Sequence, residues 1–135
     1  SFKNNHNFLQ AIDLIQSNKC TAGIFLDVHE EIGEQLLNLI KNKKIKWIVL
    51  MGVPVGFGGQ PFDTNVFIKL EALREFSSSN NLNLKLEIDG GLSFENIKFC
   101  KNLGANYLSG WSIINSKNNE ILNKRIKRLQ KIMNS

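Results

Sequence analysis

The sequence is poor in the residues that most often announce chemistry. It has two cysteines, Cys20 and Cys100, and two histidines, His6 and His29. The cysteines have no CxxC spacing and no neighbouring histidine, which argues against a zinc ligand set or a redox pair. They read as two reduced, mostly buried thiols of a cytoplasmic protein. His6 sits in an Asn-rich terminus and His29 beside Glu30 and Glu31, so both read as surface residues rather than ligands. No apolar run reaches the ~18 residues of a membrane-spanning helix, and no signal peptide is evident. No repeat at solenoid periods and no linker divides the chain, so one domain is expected. There are 17 basic and 12 acidic residues, a net charge of +5. The excess clusters at Lys41, Lys43, Lys44 and Lys46 and again at Lys124, Arg125, Lys127, Arg128 and Lys131. No aromatic stacking motif is interleaved with it. It therefore reads as solvated helix faces with some attraction for phosphorylated molecules, and no nucleic acid or membrane partner is expected.

What is present is an alternation of helical and extended patterns. Phe8, Leu9, Ile12, Leu14 and Ile15 have near-helical spacing across Asn7 to Ser17. Thr21 to Leu26 reads as a short strand, and Glu30 to Ile40 as an amphipathic helix carried by Ile32, Leu36, Leu37, Leu39 and Ile40. Trp47 to Val53 is a continuous apolar run, as a strand covered on both faces should be. A helix from Asn65 to Phe76 follows, with Asp63 or Thr64 as its cap and Ser77 to Asn81 as a polar connector. Leu84 to Ile88 alternates apolar and charged residues, so one of its faces reads as partly wet. Ser93 can cap the next helix, which ends at Gly104 in a left-handed position. Tyr107 to Ser109 is a fourth strand, Trp111 to Asn115 a single helical turn, and Asn119 to Met133 a basic helix with Ile121, Leu122, Ile126, Leu129 and Ile132 inward. The order is a helix and then four βα units. Crossovers this short imply an α/β fold with neighbouring parallel strands and right-handed connections.

Three of the strands end in glycine. The second leads into Met51-Gly52-Val53-Pro54-Val55-Gly56-Phe57-Gly58-Gly59-Gln60. The third ends Asp89-Gly90-Gly91, and the fourth reaches Gly110 and Trp111. Glycines at strand ends permit positive φ and close approach to a ligand, and this is where α/β proteins bind small molecules. The alternative for the first loop is a tight turn with no ligand. Asp89 can ligate a divalent metal or exchange a proton beside a carbonyl; equally, it can be a turn residue or a helix cap. Phe57 can shield a site from water or simply pack, and Met51 can line a pocket or belong to the core.

These three stretches, in this order and spacing, resemble the ribulose-phosphate 3-epimerase family. The resemblance rests on Gly56-Phe57-Gly58-Gly59-Gln60, on Asp89-Gly90-Gly91 and on Gly104-Ala105-Asn106 leading to Gly110, and it extends back to Ala22-Gly23. It implies a (β/α)8 TIM barrel of which residues 1–135 form the C-terminal half, since a complete barrel needs roughly 200 residues or more. The chain begins with Ser1, which leaves a fragment or a half-barrel standing alone. The resemblance further implies reversible epimerisation at C3 of a ketopentose phosphate such as D-ribulose 5-phosphate, in the cytoplasm. It makes Asp89 both a ligand of a divalent metal ion (Zn, Fe, Mn or Co) and one of two acid–base groups. Gly90, Gly91 and Gly110 with the Trp111 backbone resemble the family's phosphate grip, and Gly56, Phe57, Gly58 and Gly59 its loop over the substrate.

The chain departs from the family pattern in three places. Pro54-Val55 stands where Asn-Pro usually precedes Gly-Phe-Gly-Gly, Asp27-Val28 stands where Asn-Pro follows the first of these strands, and Trp111 replaces a Ser or Thr. The two histidines and the second Asp that complete the family's metal site come from earlier strands that these 135 residues do not include. A second expectation follows: a degenerate or half-barrel homologue that binds a sugar phosphate or a partner chain without catalysis. A third is another phosphate-binding barrel enzyme, sharing the glycines but not the role of Asp89. Four βα units leave sheet edges and one barrel face open, so a homo-oligomer or another association covering that face is expected.

Overall fold

The computed structural model describes residues 7–56 and 59–134. Among these residues helices and strands alternate up to β4, and two helices follow it: α1 (Phe8–Ser17), β1 (Gly23–Leu26), α2 (Glu34–Lys41), β2 (Trp47–Met51), α3 (Asn65–Ser79), β3 (Lys85–Asp89), α4 (Asn96–Asn102), β4 (Tyr107–Ser109), α5 (Trp111–Ile114) and α6 (Asn119–Asn134). The strands form one parallel sheet in the order β1-β2-β3-β4. In its register Leu50 pairs with Ile88, Met51 with Asp89, and Asp89 with Ser109. β1, β2 and β3 are thus each followed by a helix that returns the chain to the neighbouring strand, as a barrel's βα units require.

The period-2 geometry of a strand decides what each residue meets. Leu26, Ile48, Leu50, Leu86 and Ile88 point to the helix layer and are almost wholly buried against Leu36, Ile40, Val66, Leu70, Leu73, Ile97 and Cys100. The opposite face is the concave one that lines a barrel. On it Trp47, Val49 and Met51 are only half-buried, although β2 is apolar throughout and reads as covered on both sides. Phe25 and Tyr107 are 51% and 44% exposed there. Burial of this face depends on strands across a barrel, and β1 to β4 cannot cover it themselves. Trp47 and Tyr107 cover part of it by stacking, with centroids 4.5 Å apart and planes 15° apart. The alternation expected for β3 is present: Leu84, Leu86 and Ile88 are buried, while Lys85, Glu87 and Asp89 are half-buried.

Several boundaries move for identifiable reasons. The second helix starts at Glu34 rather than Glu30 because Glu30 is used in a turn. Its N–H donates to the Asp27 carbonyl (3.1 Å), and its carboxylate accepts the Asp27 N–H (3.1 Å). Ser77 to Ser79 extend α3 instead of ending it, since Ser77 is 2% exposed and its hydroxyl donates to the Leu82 carbonyl (2.8 Å). Ser93 and Asn96 cap α4 reciprocally: the Asn96 N–H donates to Ser93 Oγ (3.2 Å) and the Ser93 N–H to Asn96 Oδ1 (2.7 Å). Along α6, Leu122, Leu129 and Ile132 are half-buried, but Ile121 and Ile126 are exposed, because this helix packs mainly on α4 and α5. Cys100 is buried, and desolvation pushes its thiol up to about 11. Cys20 is exposed, contrary to the expectation of two mostly buried thiols. It lies in the connection after α1, outside the helix–sheet core.

Helices α1 to α4 end alike. The N–H of the residue in the left-handed position bonds three residues back, and the next N–H bonds five back, the Schellman pattern. Lys19, Lys43, Asn81 and Gly104 occupy that position, with φ of 58°, 58°, 52° and 89°. Gly104 satisfies it without strain, as its sequence position predicts, whereas Lys19 and Lys43 carry a Cβ there. Lys43→Gly is therefore expected to raise stability by about 1 kcal/mol. Denaturant unfolding should show a higher midpoint at unchanged slope, and a lower midpoint would contradict the cap assignment.

Candidate active site

The C-terminal ends of β1 to β4 lie along one side of the sheet, and the glycine-rich segments follow from them. Asp89 is the last residue of β3, held between Met51 and Ser109. Its carbonyl accepts the Gly52 N–H at 2.7 Å, so backbone pairing continues to the end of the strand. Its half-buried carboxylate has no hydrogen-bond partner among the described residues. Gly90 and Gly91 follow in left-handed conformations, φ 88° and 64°.

These two glycines are fixed by space as well as by φ. A Cβ at Gly90 would lie 2.8 Å from Val53 Cγ2; one at Gly91 would lie 2.8 Å from Val53 Cγ1 and 3.1 Å from Phe62 Cα. The stretch after β2 thus packs directly on the turn after β3. On the other side, Gly110 lies against Leu92 and Ile113, 3.2 Å and 3.4 Å from where a Cβ would be. The structure therefore brings Asp89, Gly90, Gly91 and Gly110 into one neighbourhood. The N–H groups of Gly91, Leu92 and Trp111 have no acceptor among the described residues. Donors of this kind at tight turns are what an anionic oxygen needs. Trp111 opens α5 with its residue 75% exposed.

Gly56 and Gly59 have φ of 133° and 79°, with nothing within 4 Å of a built Cβ. They face open space, and backbone conformation rather than crowding selects glycine there. Phe57 and Gly58 lie outside the described residues. Met51 is half-buried on the concave face, beside Asp89 in the register. His29 is exposed, and His6 lies outside the described residues.

Two further carboxylates lie at this side that the sequence pattern does not mark as site residues. Glu87 is two residues before Asp89, hence on the same face of β3. It accepts from Trp47 Nε1 (2.9 Å) and from the Ser109 hydroxyl, forming a polar floor beneath Asp89. The charged-apolar alternation of β3 was the available signal. Asp27 follows β1 as Asp89 ends β3, and its carboxylate accepts the Val55 N–H at 2.9 Å. No spacing rule connects residues 28 apart on different loops.

A parallel βα sheet whose glycine turns and acid gather at the strand ends defines a protein of the β/α-barrel class, with its site on the face such barrels use. Comparison with known proteins narrows the class. Residues 2–114 match the Ribulose-phosphate 3 epimerase family. The chain is 34% identical over 122 residues to the ribulose-phosphate 3-epimerase of Helicobacter pylori, covering 88% of this chain and 52% of that protein. It is 30% identical over 120 residues to that of Buchnera aphidicola from Acyrthosiphon pisum, with 88% and 51% covered. The protein of the same name from Escherichia coli is 30% identical over 105 residues, with 78% and 45% covered. The chain belongs to the ribulose-phosphate 3-epimerase family. It spans about half the length of the curated relatives it matches, and its four strands make about half of the family's barrel.

Proposed function

We propose that this chain is the C-terminal half of a ribulose-phosphate 3-epimerase barrel and supplies one of two acid–base groups and the phosphate grip. The observation that carries this reading is Asp89: a half-buried carboxylate with no described partner, at a strand end, followed by two left-handed glycines. With a ketopentose phosphate bound, Asp89 takes the proton from C3 on one face and an enediolate forms. An acid from outside the described residues returns a proton to the other face, which inverts C3. The N–H groups of Gly91, Leu92 and Trp111, free among the described residues, receive the phosphate, and Gly56 and Gly59 border the sugar. Incubating the complete protein with D-ribulose 5-phosphate in deuterated water tests this. Deuterium at C3 together with formation of the C3 epimer is the expected result, and neither appearing overturns it.

A divalent metal ion belongs to this family's chemistry, where it stabilises the enediolate charge. Asp89 fits as one ligand. Among the described residues no group of three His, Cys, Asp or Glu side chains could hold an ion. Any metal site therefore draws its other ligands from outside them, and Zn, Fe, Mn and Co remain equal candidates. That single acid also favours a second reading, a homologue that binds a sugar phosphate or a partner without catalysis. Saturable binding of the phosphate ester with no exchange at C3 would establish it instead.

The partly open concave face carries Phe25, Trp47 and Tyr107, and we take it to be covered by other strands or by a second chain. The 135 residues prepared alone are expected to sediment as dimers or larger species at micromolar concentration. A soluble monomer would contradict this. A cytoplasmic location accords with the two unpaired thiols. No helix among the described residues is long and apolar enough to cross a membrane.

A further inference from the structure

The carboxylate at the end of β1 has no part in the chemistry above, yet it is among the most heavily bonded side chains on this side of the sheet. Asp27 Oδ1 accepts the His29 N–H at 3.2 Å, closing a local turn, and Oδ2 accepts the Val55 N–H at 2.9 Å. Val55 lies four residues beyond β2. One side chain thus joins the end of β1 to the stretch that follows β2. Both partners are held from behind. Lys69 on α3 donates to the carbonyl oxygens of Asp27 (3.1 Å) and Val28 (2.6 Å), and the Gln60 side-chain amide donates to the Pro54 carbonyl (2.9 Å).

The chemistry of this bond constrains the residues at both of its ends. A carboxylate accepts at both oxygens, whereas an amide accepts at one and donates at the other. Asn at position 27 has one acceptor oxygen; with that oxygen held by the local turn to the His29 N–H, its NH2 meets the Val55 N–H donor against donor. A proline at position 55 has no N–H to give and holds φ by its ring instead. A carboxylate at position 27 and a residue other than proline at position 55 are therefore needed together for this hydrogen bond.

We infer that Asp27 and Val55 act as a structural pair. The Asp27 carboxylate is a positioning residue that fixes the stretch after β2 against β1. Through Val53, that stretch abuts Gly90 and Gly91. Asp27 therefore sets one wall of the candidate site without touching what binds there. Partial desolvation opposes ionisation of Asp27, but the N–H groups of Val55 and His29 outweigh it and hold its pKa below the usual carboxylate range. The positive charges facing it are Lys69 and, when protonated, His29. Glu30 is the negative one, with its carboxylate on the Asp27 N–H.

The test is amide hydrogen exchange at Val55, followed by NMR on the complete protein. Asp27→Ala is expected to speed exchange at Val55 by about tenfold or more, and Asp27→Asn, which keeps the local turn, by a similar factor. The Val55 amide shift should also show a step on acidification below the usual aspartate range, as the tie is lost when pH falls through the depressed pKa. That step should vanish in Asp27→Asn. Unchanged exchange at Val55 in the near-isosteric Asn variant overturns the proposal, even if Asp27→Ala fails to fold. The link to the site rests on the epimerase reading and has its own measurement. Asp27→Asn should raise KM for the pentose phosphate several-fold while kcat stays within about twofold. If exchange rises and KM does not, the tie stands and the substrate site proposed above is what fails.

Discussion

Replacing Asp89 by Asn in the complete protein is expected to lower kcat/KM for D-ribulose 5-phosphate by about 10³-fold, while the unfolding midpoint stays nearly constant. The two halves of this expectation have separate causes. Asn has nearly the shape of Asp, and the backbone bond from the Gly52 N–H to the Asp89 carbonyl is untouched by the change. The carboxylate makes no side-chain hydrogen bond to a described residue, so removing its charge breaks nothing that holds the strand end. The amide cannot take a proton from carbon, and loss of a positioned acid–base group costs about 10² to 10⁴ in rate. Deuterium exchange at C3 should fall in parallel. Retained exchange would return Asp89 to the role of a turn residue. A fall in rate accompanied by unfolding would mean that its part is structural.

The placement of elements was legible in the sequence wherever a local rule acts alone. Ser93 as a cap, Gly104 at its left-handed position, and the Leu84-Leu86-Ile88 alternation are each decided by neighbours within a few residues, and the structure has them as expected. Burial of the concave face is another matter. Trp47, Val49 and Met51 are as apolar as the residues between them, and only the strands across a barrel decide whether they are covered. At Glu30 one local rule loses to another: the helical reading starts there, but its carboxylate closes a turn on Asp27, three residues back. The chemistry divides in the same way. Asp89-Gly90-Gly91 is a contiguous signal that pattern alone can flag. Glu87 is marked only by the alternation of β3, which puts it on the face of Asp89. Asp27 and Val55 looked like unrelated departures until the fold brought them together.

Gly52 takes this furthest, since nothing in its local sequence distinguishes it from a loop glycine. It stands one residue past β2, and a Cβ there would lie 2.4 Å from the Gly90 carbonyl oxygen and 2.7 Å and 2.9 Å from Phe62 ring carbons. Its N–H bonds to the Asp89 carbonyl at 2.7 Å and its carbonyl accepts the Asp63 N–H at 2.8 Å, so the residue is anchored on both sides. Gly52→Ala is expected to destabilise the protein by about 3 kcal/mol. That corresponds to roughly 10 °C in Tm for a chain of this size. Gly33→Ala is the control: it has nothing within 4 Å of its Cβ and should cost about 1 kcal/mol or less. A ring can rotate away and a backbone oxygen cannot, so adding Phe62→Ala to Gly52→Ala should not restore stability. Relief requires the end of β2 to move from the turn after β3, which carries Asp89 and Gly90 with it. The variant should therefore lose activity at temperatures where it is still folded. If Gly52→Ala proves as stable and active as the parent, the contact between these two strand ends is looser than 2.4 Å implies, and the geometry assigned to Asp89 fails with it.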